Sequence, residues 1–98
     1  MMDLTWTDVA KQDLTAIHSY IARDSLYYAD EYIDRLIQAA DGLKEFPRMG
    51  RVVPEIGDDN VREVLYGSYR LMYHIDEDAN MVSVTQVSHG AQQFRIHQ

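Results

Sequence analysis

The chain has 98 residues, 46% of them hydrophobic, and a formal net charge of −7. This length suits one modest domain and is too short for two, so we expect residues 1–98 to form a single domain. The acidic balance disfavours non-specific binding to nucleic-acid phosphates, and the absence of Cys excludes disulfides and thiolate chemistry. Since no apolar run approaches ~20 residues and no signal peptide is visible, we expect a cytoplasmic protein without a membrane partner.

The N-terminal half predicts one strand and two helices. Residues 2–6 are predicted as a strand, and Thr7 or Asp8 as the cap of a helix with one apolar stripe. Ser25 is predicted to cap a second helix with a wide apolar face. That helix stops at Phe46-Pro47, because a residue before proline avoids the helical conformation. The short connection predicts an antiparallel helical hairpin whose apolar sides cover another layer.

The C-terminal half predicts a long loop followed by three strands. Residues 47–60 are rich in Pro, Gly, Asp and Asn and are predicted as a loop. Residues 61–66, 69–75 and 81–87 are rich in Val, Tyr and Ile, which predicts strands, and Gly67-Ser68 fits a type II′ turn. The order is β-α-α-β-β-β. This is an α+β fold with a helical hairpin packed on one face of a small, mostly antiparallel sheet.

The strand register divides the side chains between two faces of the sheet. With Gly67-Ser68 as the turn, one face gathers six residues, which we call the arginine face: Val61, Glu63, Leu65, Arg70, Met72 and His74. If Ile75 pairs with Met81 across the next turn, Val82, Val84 and Gln86 join them. The opposite face is more apolar, so we assign it to the helices and expect the arginine face to remain open to a partner. A slipped register would exchange the two faces.

One group of candidate catalytic residues follows from this arrangement. Glu55, Arg62, Arg70 and His89 are predicted to gather at the open face and the end of the last strand. A Glu or His can move a proton and an Arg can stabilise a phosphorane-like charge, which is the chemistry of metal-free RNA cleavage. The same residues can instead form structural ion pairs, with Glu63 near Arg70 across the strands. The four His have no metal-ligand spacing, so we expect neither a metal nor a cofactor.

A series of short motifs runs from residue 4 to about residue 91. The most informative are Phe46-Pro47-Arg48-Met49-Gly50-Arg51, Val53-Pro54-Glu55, Val61-Arg62-Glu63, Tyr69-Arg70-Leu71-Met72-Tyr73 and Val87-Ser88-His89-Gly90. In their order and spacing they resemble the ParE/RelE toxin superfamily, also called plasmid stabilisation proteins. The resemblance implies the fold predicted above and a type II toxin–antitoxin system. It also implies a cognate antitoxin that wraps the toxin, and contact with operator DNA only through that antitoxin.

The superfamily divides by cellular target. RelE-like members cleave messenger RNA in the ribosome, and ParE-like members poison DNA gyrase. RelE-like nucleases are usually strongly basic, unlike this chain at −7. ParE-like proteins commonly carry an Arg after the His-Gly pair, where this chain has Ala91-Gln92. The charge weakens the nuclease interpretation, and the missing Arg is a departure from the ParE-like pattern. Between the two we favour a ParE-like inhibitor that binds DNA gyrase, more a binding protein than an enzyme.

Two alternatives remain open. One is a ribosome-dependent mRNA endonuclease, with Arg70 and either Glu55 or His89 as catalytic residues. The other is a degenerate toxin that binds only its antitoxin. For binding of the antitoxin or the target we select residues expected at the open surface. They are Arg62, Leu65, Arg70, Met72, His74, Val82 and Val84. An extended or helical antitoxin segment is expected to cross them.

Overall fold

A computed structural model describes residues 1–90 as two helices packed on a five-stranded sheet. The elements are β1 (Asp3–Trp6), α1 (Asp8–Ala22), α2 (Leu26–Asp41), β2 (Arg51–Val52), β3 (Val61–Tyr66), β4 (Tyr69–Asp76) and β5 (Met81–His89). The sheet order is β1-β5-β4-β3-β2, and only the β1–β5 pair is parallel. The predicted fold class is confirmed. Within residues 1–90, no helix is both long and apolar enough to cross a membrane.

Both helices begin at side-chain caps that the sequence predicts. The Thr7 hydroxyl accepts a hydrogen bond from the Ala10 N–H at 3.2 Å, and the Ser25 hydroxyl accepts one from the Tyr28 N–H at 3.1 Å. Each cap satisfies a backbone donor that has no partner inside its helix. The second helix is shorter than predicted, since α2 ends at Asp41 and a single 3₁₀ turn follows over Gly42–Lys44.

The predicted loop contains a short edge strand, β2, which is too brief to show a pattern in the sequence. Arg51 pairs with Glu63 on β3. The preceding segment is held by the hydroxyl of Tyr73, which donates to the Pro47 carbonyl at 2.6 Å and accepts from the Gly50 N–H at 3.0 Å. A Cβ atom on Gly50 would lie only 2.5 Å from the Glu63 carbonyl oxygen. Glycine is therefore required there for β2 to reach the sheet.

The length of the turn between β4 and β5 changes the predicted register. Ile75 pairs with Val82 instead of Met81, because the turn between the strands has four residues (77–80) rather than five. A shift of one residue moves a side chain to the other face of a sheet. Val82 and Val84 consequently lie on the helix side, where both are completely buried. Their predicted position on the open face is wrong.

The core lies between the helices and the sheet. Its buried residues are Ala10, Ile17, Ala40, Leu43, Leu71, Tyr73, Ile75, Val82, Val84 and Val87. The assignment of Leu71, Tyr73 and Ile75 to the helix side is confirmed. Gly67 has a φ of +56°, while Ser68 does not have a positive φ, which is the pattern of the predicted type II′ turn. This tight turn fixes the β3–β4 register and with it the composition of the arginine face.

Candidate functional site

Glu63 is the centre of an ion-pair cluster on the arginine face. Its side chain is completely buried. Arg70 donates from Nε to one carboxylate oxygen at 2.9 Å and from Nη2 to the other at 3.1 Å, and Arg51 donates from Nε at 2.8 Å. Both carboxylate oxygens therefore have guanidinium partners, which compensates the cost of burying the charge. The predicted structural pairing of Glu63 with Arg70 is confirmed.

Three strands bring these side chains together. Glu63 on β3 lies opposite Arg51 on β2 and opposite Met72 on β4, and Arg70 is its diagonal neighbour on β4. Diagonal neighbours on one face of an antiparallel sheet lie within reach of long side chains. The contribution of Arg51 depends on β2, which the sequence did not predict.

Glu55 approaches the cluster from the loop after β2. Its carboxylate lies 3.3 Å from Arg70 Nη2, and its side chain is 40% exposed. Val53, completely buried, packs on Met72 and Val61 and so anchors the start of this loop on the sheet. Met72 is only 7% exposed as a result. Its predicted position at the open surface is wrong, because the loop covers it, and its role in binding stays a prediction.

The Arg70 guanidinium is neutralised inside the protein. Burial acts to lower its pKa, but the hydrogen bonds and charge of Glu63, and then those of Glu55, outweigh burial and hold the pKa above the ordinary value. The side chain is 12% exposed. The positive charges of Arg51 and Arg70 are matched by the negative charges of Glu55 and Glu63 in this cluster. Arg70 is thus a fixed cation that cannot serve as a base, and an incoming phosphate would have to displace a carboxylate to reach it.

Arg62 lies on the opposite side of the sheet from Arg70. It pairs with Tyr73, whose side chain is in the core beneath the helices. Its guanidinium donates to the Gly50 carbonyl at 2.9 Å and to the Asp59 carboxylate at 2.9 Å. These bonds tie the segment before β2 to the loop after it. The predicted grouping of Arg62 with Arg70 is wrong, since neighbouring residues in a strand face opposite ways.

His89 also belongs to the helix side. It pairs with Tyr69, and the two rings meet edge to face with centroids 5.6 Å apart. Register therefore separates its side chain from that of Arg70, although both residues border a small pocket at the corner of the sheet. Leu65, at 67% exposed, and the exposed His74 do lie at the open surface as expected. Their role in binding stays a prediction.

A cleft between α1 and the ends of β4 and β5 was missed by the sequence analysis. Its volume is about 770 Å³. We call it the tyrosine cleft and define it by five of its lining residues: Asp13, Tyr20, Tyr32, Tyr69 and His89. The Tyr32 and Tyr69 rings meet edge to face at 5.8 Å. Burial raises the pKa of both hydroxyls, and neighbouring tyrosines raise it further, so they are neutral donors at physiological pH.

The tyrosines that form this cleft are far apart in the sequence. The chain has seven Tyr, and those of the cleft come from α1, α2 and β4, so only the folded chain brings them together. The sequence departure at Ala91-Gln92 lies outside the described residues.

Two helices packed on one face of a five-stranded, mostly antiparallel sheet fit a small toxin of the ParE/RelE class, and comparison with known proteins agrees. A family model described as ParE toxin of type II toxin–antitoxin system, parDE, matches residues 4–94. The chain belongs to this family. It is 34% identical over 92 residues to Toxin RelE2 of Caulobacter vibrioides, covering 93% of this chain and 98% of that protein.

Solved structures show the same fold at low sequence identity. The chromosomal ParDE toxin–antitoxin system of P. aeruginosa matches with a TM-score of 0.73 and 18% identity, covering 91% of this chain and 96% of that one. The isolated E. coli RelE toxin matches with a TM-score of 0.69 and 16% identity, covering 95% and 88%. The RelBE2 toxin–antitoxin complex of Mycobacterium tuberculosis matches with a TM-score of 0.66 and 22% identity, covering 90% and 96%.

Proposed function

We propose that this toxin inhibits DNA gyrase by binding to it and is neutralised by a cognate antitoxin. The observation that carries the proposal is the internal neutralisation of Arg70 by Glu63, with Glu55 as a further partner. A nuclease needs a cation that is free to receive the charge developing on phosphate. Here the candidate cation is bound by the protein's own carboxylates.

The charge of the whole chain supports a protein target. A ribosome-bound nuclease must approach a dense array of RNA phosphates, and each phosphate contact is supplied by Lys or Arg. With a net charge of −7, this chain would be repelled. Gyrase is a protein target, and basic and apolar patches on its surface can complement an acidic toxin.

The antitoxin is the second partner that we propose. Some structures with the same fold are toxin–antitoxin complexes, among them RelBE2 of M. tuberculosis. Exposed apolar and aromatic side chains on this chain offer a surface for such a partner. They include Tyr20, Leu26, Tyr27, Tyr28 and Leu65. Operator DNA would then be reached only through the antitoxin.

A ribosome-dependent endonuclease is the rival function, favoured by the contact between Glu55 and Arg70. A half-exposed carboxylate 3.3 Å from a guanidinium can in principle take a proton from a 2′-hydroxyl beside a stabilising cation. His89, on the other face of the sheet, is less well placed to share that role.

Two parallel assays on the purified chain test the proposal. We expect gyrase supercoiling to be blocked at excess toxin and to be restored when the cognate antitoxin is added. We expect message to stay intact in a translation reaction. If supercoiling is unaffected while message is cleaved, the chain is a ribosome-dependent endonuclease and the gyrase proposal is wrong. If neither process is affected while the antitoxin still binds, the chain is a degenerate toxin and the gyrase proposal fails.

A further inference from the structure

The segment between α2 and β2 contains a β-turn over residues 46–49. The Met49 N–H donates to the Phe46 carbonyl at 3.1 Å, and Pro47 takes the second position, which its fixed φ favours. The hydroxyl of Tyr73 donates to the Pro47 carbonyl at 2.6 Å, and the Tyr73 side chain is completely buried. The backbone of the turn is therefore anchored to the core.

The side chain of Arg48, at the third position, fixes the turn from the other side. Its guanidinium donates to the Asp59 carboxylate at 2.8 Å and to the Glu77 carboxylate at 2.7 Å. It also donates to the side-chain oxygen of Asn60 at 3.1 Å. These bonds tie the turn to the loop before β3 and to the turn between β4 and β5.

Two large apolar side chains of this fixed turn nevertheless face solvent. Phe46 is 60% exposed and Met49 is 58% exposed. They border one pocket of about 560 Å³, and Glu45, Pro47 and Arg48 complete its lining. We call it the Phe46 pocket. Single exposed apolar residues are ordinary, but a pair on a preorganised backbone can bind a partner with little further ordering.

The surroundings of the Phe46 pocket are acidic. Arg48 pairs with Asp59 and Glu77, and Arg62 pairs with Asp59 as well, so these two cations are matched by two carboxylates. Four further carboxylates adjoin this segment or these acidic residues in the sequence. All four are exposed and form no ion pair within residues 1–90: Glu45, Asp58, Asp76 and Asp78. The excess of negative charge favours a basic partner.

From these observations we propose that the Phe46 pocket docks a basic segment of a partner protein. One large apolar side chain of that segment inserts between Phe46 and Met49, and its neighbouring Lys or Arg side chains meet the surrounding carboxylates. A second copy of this chain is disfavoured as the occupant, because two chains of net charge −7 repel each other. Such docking does not depend on gyrase being the target of the toxin.

Three peptide probes separate the apolar anchor from the charge. They are acetyl-Lys-Lys-Leu-Lys-Lys-amide, the same peptide with Ser in place of Leu, and acetyl-Gln-Gln-Leu-Gln-Gln-amide. Each is titrated into the purified chain and followed by the NMR signals of the Phe46 ring and the Met49 methyl group. We expect the first to bind about fivefold more tightly than the second, the range of partial burial of one Leu side chain. We expect its advantage over the third to shrink as salt is added.

Four outcomes of these measurements would overturn the proposal. Equal binding of the first two peptides would mean that only charge attracts them. Equal binding of the first and third would remove the basic character of the partner. Shifts confined to residues outside the pocket would place the peptide elsewhere. Self-association of the chain that is abolished by Phe46→Ser would assign the pocket to a second copy.

A matched pair of variants assigns the apolar contact to the turn. Phe46→Ser removes a ring that lines the pocket, and Tyr27→Ser removes one that is 77% exposed near the opposite end of α2. We expect the preference for the Leu peptide over the Ser peptide to disappear in the first variant and to persist in the second. Met49→Gln keeps the side-chain length and should also remove the preference. Thermal unfolding checks that each variant is folded, and a preference retained in both folded pocket variants would contradict the proposal.

A second pair of variants assigns the charge. Glu45→Gln removes a carboxylate of the pocket lining, and Asp24→Asn removes one at the exposed turn between the two helices. We expect Glu45→Gln to weaken binding of the first peptide about threefold, the range of an exposed ion pair, and Asp24→Asn to leave it unchanged. Equal effects of the two substitutions would overturn the proposal, because the charge of the whole chain would then attract the peptide.

Discussion

The arginine face and the tyrosine cleft use their side chains in opposite ways. On the arginine face, Arg70 is 12% exposed and bound by Glu63 and Glu55, so its charge is satisfied within the chain. In the cleft, Tyr20 is 62% exposed, and the guanidinium carbon of Arg23 lies 5.9 Å from the centre of its ring. The candidate catalytic residues Arg70 and Glu55 are therefore paired with other side chains of the same chain. Tyr20, by contrast, leaves most of its surface accessible to solvent.

The largest effect is expected where the buried charge of the arginine face is removed. Glu63→Gln leaves two guanidiniums around a neutral side chain, and breaking a buried ion pair costs about 3 kcal/mol or more of unfolding free energy. Urea denaturation measures the loss. The matched control is Glu31→Gln, which removes an exposed pair with Arg35 and should cost less than about 0.5 kcal/mol. Equal losses would mean that the Glu63 cluster is not a structural centre.

Substitution of two tyrosines should give the next largest loss of stability. Tyr73→Phe removes a buried hydroxyl that bonds Pro47 and Gly50, and leaving those groups unpaired should cost about 2 kcal/mol. Tyr32→Phe removes a longer bond of 3.4 Å to the Tyr66 carbonyl from the cleft and should cost less than about 0.5 kcal/mol. Thermal unfolding of both variants checks the order. If Tyr32→Phe is the more damaging, the hydroxyl of Tyr73 is not the main link that holds the segment before β2.

The smallest effect is expected at Glu55, which separates the proposed function from its rival. Glu55→Gln weakens only a half-exposed contact with Arg70, so the free energy of unfolding should change by less than about 0.5 kcal/mol. Toxicity on induction in cells should remain unchanged. A nuclease that used this carboxylate as its base would lose activity by about 10²–10⁴-fold. A variant that is folded but harmless would therefore favour RNA cleavage.

The sequence predicted much of the fold because its signals were local. Thr7 and Ser25 mark helix starts through their own side chains, and Gly67-Ser68 sets the β3–β4 register through one tight turn. With that register known, Glu63 and Arg70 follow as neighbours. These features depend on short stretches of chain whose physical preferences can be read directly.

The features that were missed depend on contacts between distant parts of the chain. The sequence between β4 and β5 is compatible with a turn of four or five residues. The structure has the shorter turn, which places Val82 and Val84 in the core rather than on the open face. Strand β2 has two residues and forms because Gly50 permits a close approach to β3. The tyrosine cleft needs both helices and the sheet to be in place. None of these leaves a periodic pattern in the sequence.

Direct binding of the purified chain to its target is the measurement that tests the central claim most directly. Immobilised gyrase and intact ribosomes are compared at physiological salt, with the wild-type chain as the soluble partner. The account predicts saturable binding to gyrase and none to ribosomes, because the acidic chain has its candidate catalytic arginine already paired. Saturable binding to ribosomes with no binding to gyrase would contradict it.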